Sequence, residues 1–395
     1  MTVQPGSQIR IIPQEHDPTS KVNFGAIITG CDLNNLDEAD FQAIRNAIYV
    51  HSVVIIKGQH DLLPINQYDL IKRLDPEASA EHGWGTSKEA QENTGITGKL
   101  KWYTIPGTPA VQMFGHGYQG DDHYGLKGIT MQGTSHDNYH AEALPKENIA
   151  RGETRFVVFH YDGIVYGAHP SRVTTLRSVR VPKGPPLTVR WDDGSGRTMK
   201  AQAGATAFYS NAQLYDLLTP EEKLLADNSY WETAPHPFVW TGNGKVRPKG
   251  VGLVSSEKLE VNELPPWSVD KVYKYPMVWV NPVTGKKGFQ VRAEAVRKLY
   301  LRSAPGADEL VVEDPERIRK WLNGILDRII APEYINIPSV EEGDIVAWNN
   351  WGVMHSATEY PEAYGVRTVH QCHIASSTPP LGPHDSTSSN GEVKM

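Results

Sequence analysis

The apolar residues of this chain fall mostly in short runs parted by long polar connections rich in Pro and Gly. Residues 24–33 read as a strand closing in a turn, and residues 37–49 carry Phe41, Ile44, Ala47 and Ile48 at helical spacing. A second strand follows at 52–57 and a second helix at 65–74, an ordinary scaffold that carries no chemistry. Residues 83–100 are polar and Gly/Thr-rich, which predicts a surface loop. Residues 111–114 resume a strand ended by Gly115-His116-Gly117, where His116 is either a pocket residue or simply exposed. Strands are expected at 156–159 and, by alternation, at 172–181. A hairpin follows from 187–191 with Asp192-Asp-Gly194 as its turn, and 206–209 form another short strand. Thr219-Pro-Glu-Glu222 opens a helix with a capping residue, a Pro in the first turn and an acid three places on. A longer-looped hairpin is expected over 275–291. The helix predicted at 315–330 stripes Ile318, Trp321, Leu322, Ile325 and Leu326 along one face.

Many short strands with few helices predict a mainly β fold with flanking helices, a double-stranded β-helix or jelly roll. No composition shift breaks the chain, so 1–376 are read as a single domain with an insertion around 235–276. Residues 377–395, dominated by Pro, Ser, Gly and Asn, are expected to be disordered. Length changes little in this picture: 395 residues with 39% hydrophobic content can bury a large core. Charge changes more. With 39 Lys+Arg against 46 Asp+Glu and a net charge of -7, nothing favours nucleic acid or an anionic membrane surface. No signal-peptide core opens the chain and no run of about 18 apolar residues occurs, which together predict a cytoplasmic protein. The two cysteines, Cys31 and Cys372, support neither a disulfide framework nor a thiolate cluster.

The candidate chemistry sits in Thr154-Arg-Phe-Val-Val-Phe-His160-Tyr161-Asp162-Gly163. On an extended segment His160 and Asp162 point to one side and Tyr161 to the other. An imidazole and a carboxylate on one face, completed by a distant His, make the three-point set that holds non-haem Fe(II) and leaves positions open. His355, at the end of the 342–356 segment, is the candidate for the third ligand. His-x-Asp by itself also fits a hydrogen-bonded structural histidine, and His140-Ala-Glu142 offers a rival. The rival lies in a polar stretch, 133–146, without strand character.

These features, in order, resemble the taurine dioxygenase family of Fe(II)- and 2-oxoglutarate-dependent oxygenases. The likeness rests on Gly25-Ala-Ile-Ile-Thr-Gly-Cys-Asp-Leu33, Val53-Val-Ile-Ile-Lys-Gly-Gln59, His160-Tyr-Asp162, Tyr275-Pro-Met-Val-Trp-Val-Asn-Pro-Val-Thr-Gly285, and Gly343-Asp-Ile-Val-Ala-Trp-Asn-Asn350 through His355. Within it the chain is most similar to fungal xanthine dioxygenases, through Thr154-Arg-Phe, Val173-Thr-Thr-Leu176, Asp192-Asp-Gly194, Pro235-His-Pro237 and Gln371-Cys372. The resemblance implies Fe(II), 2-oxoglutarate and O2 as cofactor and co-substrates, with His160, Asp162 and His355 on the metal. It implies Thr188 and Arg367, the latter twelve residues past His355, on the far carboxylate of 2-oxoglutarate. A guanidinium fork suits that carboxylate.

For the substrate, the positions that hold a purine in the xanthine branch carry Thr108, Gln132 and His373 here in place of Gln, Lys and Asn, while Glu147 and Gln371 are kept. A polar site that loses its partners discriminates strongly, which disfavours xanthine. The expected substrate is a small polar molecule, an amino acid in fungal biosynthesis, hydroxylated or oxidatively cyclised. Xanthine oxidation to urate and an inactive small-molecule-binding jelly roll are the alternatives. Gln132, Glu147, Ile345, Ala347, Gln371 and His373 are the candidate substrate residues. For Ile345 and Ala347 the alternative is core packing, and for His370 and His373 an ordinary strand role. Thr241-Gly-Asn-Gly-Lys245 and Thr284-Gly-Lys-Lys287 lack phosphate-loop spacing. No nucleic-acid or membrane partner is expected, and a homo-oligomer is left open.

Overall fold

The computed structural model describes residues 8–80, 102–254 and 257–385. The loop expected at 83–100 lies outside them.

The helix Glu38–His51 forms where its spacing predicts, capped by the Asp37 carboxylate on the Asp40 amide, with Phe41, Ile44, Ala47 and Ile48 buried. It and Pro64–Leu74 lie against one face of a sheet that has nine strands among the described residues. The order is Arg10–Pro13, Ala26–Thr29, Val53–Ile56, Ile345–Asn349, Val173–Arg180, Arg367–Cys372, Val111–Tyr118 and Tyr103–Thr104, with Thr130–Met131 on the free end of Val111–Tyr118. Neighbours pair antiparallel except Ala26–Thr29 with Val53–Ile56. Strands from both ends of the sequence meet in its centre, the long-range closure a β architecture needs.

The opposite face is met by the ladder of Ala207–Ser210 with Val353–Ser356, whose Phe208 and Val353 pack on Val53, Val346 and Trp348. The hairpin Leu187–Arg190 with Thr198–Ala201 and a four-stranded group around Tyr230–Thr233 and Val296–Leu301 share a second core with the segment carrying Phe159 and Tyr161. Thr219 and Glu222 form the expected capping box on Pro220–Asn228. The last long helix ends at Leu326, earlier than the stripe suggested, with Ile329 and Ile330 buried beyond it.

Several expectations need correction. Residues 156–159 are extended but form no regular strand. Phe156 and His160 make isolated bridges to Thr358 and His355, while the Phe159 amide turns instead to the Gly250 carbonyl at 2.7 Å. The insertion around 235–276 is therefore more than decoration, because it braces the segment carrying His160. Gly250 is needed there: a Cβ would meet the Phe156 carbonyl oxygen at 2.7 Å. The strand expected to stop at Phe114 runs on to Tyr118, because Gly115 lets the Arg367 carbonyl approach where a Cβ would stand. Of the tail expected to be disordered, residues 386–395 lie outside the described ones. Ser377, nearer the core, is held on Asp75, and the Leu381 carbonyl accepts from the Val280 amide.

No helix among the described residues is long and apolar enough to cross a membrane.

Candidate metal centre

His160 and His355 come from segments far apart in sequence and are paired directly, the amide of each donating to the carbonyl of the other at 2.9 and 2.8 Å. Their rings lie 4.1 Å apart. The Asp162 carboxylate completes the group: its Oδ1 is 3.7 Å from His160 Nε2 and its Oδ2 3.7 Å from His355 Nε2. One ligand atom from each residue lies within 4.8 Å of the others. These separations are too long for hydrogen bonds and suit a shared central ion.

The surroundings prepare the donors. His160 Nδ1 lies 3.0 Å from the Val158 carbonyl, which only accepts, so the proton sits on Nδ1 and Nε2 presents a lone pair. Burial, reinforced by His355, pulls His160 down to about 3, and burial does the same to His355. Both imidazoles are thus neutral at ordinary pH, as metal ligands must be. Asp162 is 1% exposed, and its Oδ2 accepts from Thr174 Oγ1 at 2.8 Å. Two neutral imidazoles and one buried carboxylate that, among the described residues, has no Lys or Arg partner fit a divalent ion.

The three side chains line one end of a cavity of about 150 Å³, with Trp102, Phe114, Leu176, Trp348 and Val369 as apolar walls and Thr134, Thr206, Arg367 and Gln371 as polar ones. A larger cavity of about 560 Å³ shares Phe114, Thr134, Ala357 and Arg367 with it and adds Gln132, Lys146, Glu359 and Tyr360. Arg367 donates through Nε to the Gly204 carbonyl at 3.0 Å. Among the described residues it forms no ion pair with a carboxylate, and burial lowers its affinity for its proton. A half-buried guanidinium facing a cavity in this way favours an anionic ligand.

The other expected residues divide. Arg367, Val369 and Gln371 alternate onto the inner cavity, and Gln132 lines the outer one. Thr188 does not reach either: Leu187 and Val189 take the buried side of the strand, so its hydroxyl faces outward and accepts from Lys200 Nζ at 2.7 Å. Thr206 lines the inner cavity instead. Ile345 and Ala347 also point the wrong way, packing beneath the two helices, while Trp348 of the same strand faces the cavity. Glu147 is exposed and lines neither cavity. His373 is buried with its Nδ1 2.8 Å from Ser171 Oγ, and His370 turns to the opposite face, where its Nε2 meets His123 Nε2 at 2.7 Å. Thr108 closes a turn on the Ile105 carbonyl. His116 lines the outer cavity. The rival His140 is structural, its Nε2 lying 3.0 and 2.9 Å from the Phe156 and Val157 carbonyls. Trp102, Phe114, Thr134, Thr206 and Trp348 were missed. Only the alternation of the strands that carry Phe114 and Trp348 could have pointed to any of them.

Residues 15–373 match the family described as Taurine catabolism dioxygenase TauD, TfdA family. The chain is 40% identical over 390 residues to the Alpha-ketoglutarate-dependent dioxygenase bsc9 of Alternaria brassicicola, covering 95% of this chain and 96% of that protein. It is 39% identical over 368 residues to the Alpha-ketoglutarate-dependent xanthine dioxygenase xanA of Emericella nidulans, covering 93% and 96%. Among solved structures, a taurine dioxygenase from Burkholderia xenovorans superposes with a TM-score of 0.54 at 16% identity, covering 98% of this chain and 94% of that one. AAD-2 in complex with Mn(II) and N-oxalylglycine superposes with a TM-score of 0.53 at 14% identity, covering 94% and 99%.

Proposed function

The chain belongs to the TauD, TfdA dioxygenase family, and from that membership we propose that His160, Asp162 and His355 hold its iron and that Arg367 holds the far carboxylate of 2-oxoglutarate. The activity class is that of the family: a 2-oxoglutarate-dependent dioxygenase, an oxidoreductase using Fe(II), 2-oxoglutarate and O2. We read the fold as the double-stranded β-helix of that family, with the triad at its open end. The observation that carries the site assignment is the convergence of three ligand atoms within 4.8 Å beside a cavity that also takes in Arg367.

When bound, the iron with 2-oxoglutarate and O2 supplies the oxidising chemistry, releasing succinate and CO2 as a substrate C–H bond is oxidised. The protein's share is orientation and exclusion of water. Thr174 holds the Asp162 carboxylate, and the His160 Nδ1 contact fixes that imidazole. Arg367 orients the co-substrate from the side. Trp102, Phe114, Leu176, Trp348 and Val369 keep the chamber apolar around the reacting carbon.

The substrate is read as a small molecule spanning both cavities, its reacting part against the apolar walls and its polar end toward Gln132, Lys146 and Glu359. An amino acid with an apolar side chain fits this division, since Glu359 suits an ammonium and Lys146 a carboxylate. Xanthine is a second reading, favoured by Gln371 on the inner wall and by the relative named a xanthine dioxygenase. Against it, Glu147 lies outside both cavities and His373 is engaged with Ser171. The test incubates anaerobically purified protein with Fe(II), 2-oxoglutarate, O2 and a panel of amino acids, purines and sulfonates, measuring succinate. Stimulation by an amino acid supports the first reading; stimulation by xanthine alone replaces it with the second. No succinate above a metal-free control with any compound would favour a binding protein.

A further inference from the structure

The peptide unit joining Tyr161 to Asp162 lies between two of the three proposed ligands, and both of its polar atoms are held. Its amide, on Asp162, donates to Asn350 Oδ1 at 2.9 Å. Its carbonyl, on Tyr161, accepts from Arg292 Nη1 at 2.6 Å. The two contacts come from opposite sides, Asn350 from beside the strand Ile345–Asn349 and Arg292 from the buried connection before Val296–Leu301. Fixing both ends of one peptide plane fixes the direction in which the Asp162 side chain leaves the backbone, while His160 is tied through its own amide and carbonyl to His355.

Arg292 is an unusual residue to find there. It is 4% exposed, and its Nε donates to Glu294 Oε2 at 3.1 Å, with Glu294 also 4% exposed. The guanidinium lies 5.5 Å from the Tyr161 ring centroid and 5.7 Å from that of Phe238. A buried ion pair gains little stability over apolar residues of like volume, because both charges must leave water. What a guanidinium supplies that an apolar residue cannot is a fork with two fixed directions, one to Glu294 and the other to the carbonyl between the ligands. The pair stands outside both cavities and touches neither reacting group.

We infer that Arg292, anchored by Glu294, is a positioning residue for the metal centre, acting through the Tyr161 carbonyl to aim the Asp162 carboxylate. The inference rests on the metal assignment above. Outer contacts of this kind support metal affinity by roughly 10- to 100-fold.

The experiment titrates metal-free protein with Mn(II), following the free ion by electron paramagnetic resonance, with circular dichroism as the control for folding. Arg292→Lys keeps the charge beside Glu294, but a single ammonium cannot occupy both fork positions. It is expected to fold as the wild type does and to bind Mn(II) about tenfold more weakly. Arg292→Met combined with Glu294→Gln removes both buried charges and is expected to weaken binding at least as much. If that double variant does not fold, Arg292→Lys alone decides. Mn(II) affinity within twofold of the wild type in the folded variants overturns the inference, even where thermal stability falls, since that is the signature of plain core packing. Failure of the wild-type protein to bind Mn(II) overturns the metal assignment itself, a result distinct from an unaffected variant.

Discussion

Asn350 and Asp162 are joined by a reciprocal pair of hydrogen bonds, the Asn350 Oδ1 accepting from the Asp162 amide and its Nδ2 donating to the Asp162 carbonyl, both at 2.9 Å. The same Nδ2 donates to the Ser171 carbonyl at 2.7 Å, and the residue is wholly buried. An amide side chain is thus stitched between the ligand segment and the start of the next strand. Asn350→Ala strands those backbone groups, at about 1–3 kcal/mol for each one left unpartnered. Chemical denaturation of the metal-free variant checks the loss, and Mn(II) titration is expected to show weaker binding as well. An unchanged denaturation midpoint would contradict this reading of the contact.

His160→Ala and His355→Ala are each expected to abolish succinate formation and reduce metal binding below detection. His140→Ala removes a side chain that faces the Phe156 and Val157 carbonyls, so it should cost stability and leave the metal site in place. Metal analysis after desalting separates the two groups. Loss of iron from the His140 variant would transfer the ligand role to the rival motif.

Arg367→Ala is expected to raise the 2-oxoglutarate requirement by roughly 10- to 100-fold, the equivalent of one or two charge-assisted hydrogen bonds. Thr206→Val should raise it by less, and Thr188→Ala not at all, because the Thr188 hydroxyl lies on Lys200. Initial rates of succinate release against 2-oxoglutarate concentration give all three values. Sensitivity at Thr188 with none at Thr206 would mean the strand is phased otherwise in solution.

Acidification has a sign that follows from the buried histidines. Burial lowers His160, His355 and His370 to about 3 and His140 to about 4, against an ordinary 6.5. The unfolded chain therefore binds more protons than the folded one between those values and 6.5. Their contribution is complete above pH 6.5 and is lost as pH falls toward the folded values, each group adding a slope of at most about 1.4 kcal/mol per pH unit. Denaturation of metal-free protein between pH 6.5 and 5 should show stability falling with pH. His370→Gln should make that fall shallower. An identical slope in the variant would show that His370, facing His123, keeps its proton on folding.

Trp348 and Ala347 give the sharpest contrast between neighbours. Trp348→Leu enlarges the chamber beside His355 and is expected to change the order of preference across a substrate panel. Ile345→Val, on the helix-covered side, should cost about 0.5–1.5 kcal/mol and leave that order untouched. Succinate assays on the panel, paired with thermal denaturation, test both. A shifted preference in the Ile345 variant would bring that residue back toward the site.

The periodicity of single segments was enough to predict helices at 37–49 and 65–74, which form as Glu38–His51 and Pro64–Leu74, and the capping box at Thr219. It also predicted the main-sheet strands Ala26–Thr29, Val53–Ile56, Val111–Tyr118 and Val173–Arg180, but not the short strands Arg10–Pro13, Tyr103–Thr104 and Thr130–Met131. Residue types and alternation also brought His160, Asp162 and His355 forward as one set, whereas Arg367 entered only through the resemblance to the taurine dioxygenase family. These features are local or rest on the chemistry of a side chain, so the chain carries them in itself. Alternation, however, supplies a period without a phase. Which side of Ile345–Asn349 faces the cavity depends on which side the two helices cover, and that put Trp348 rather than Ile345 and Ala347 beside the metal ligands. The same choice of side turned Thr188 outward. The partners of the Tyr161–Asp162 peptide, Arg292 and Asn350, were decided only when distant segments packed together, because a buried donor takes whichever acceptor the closed fold brings within reach.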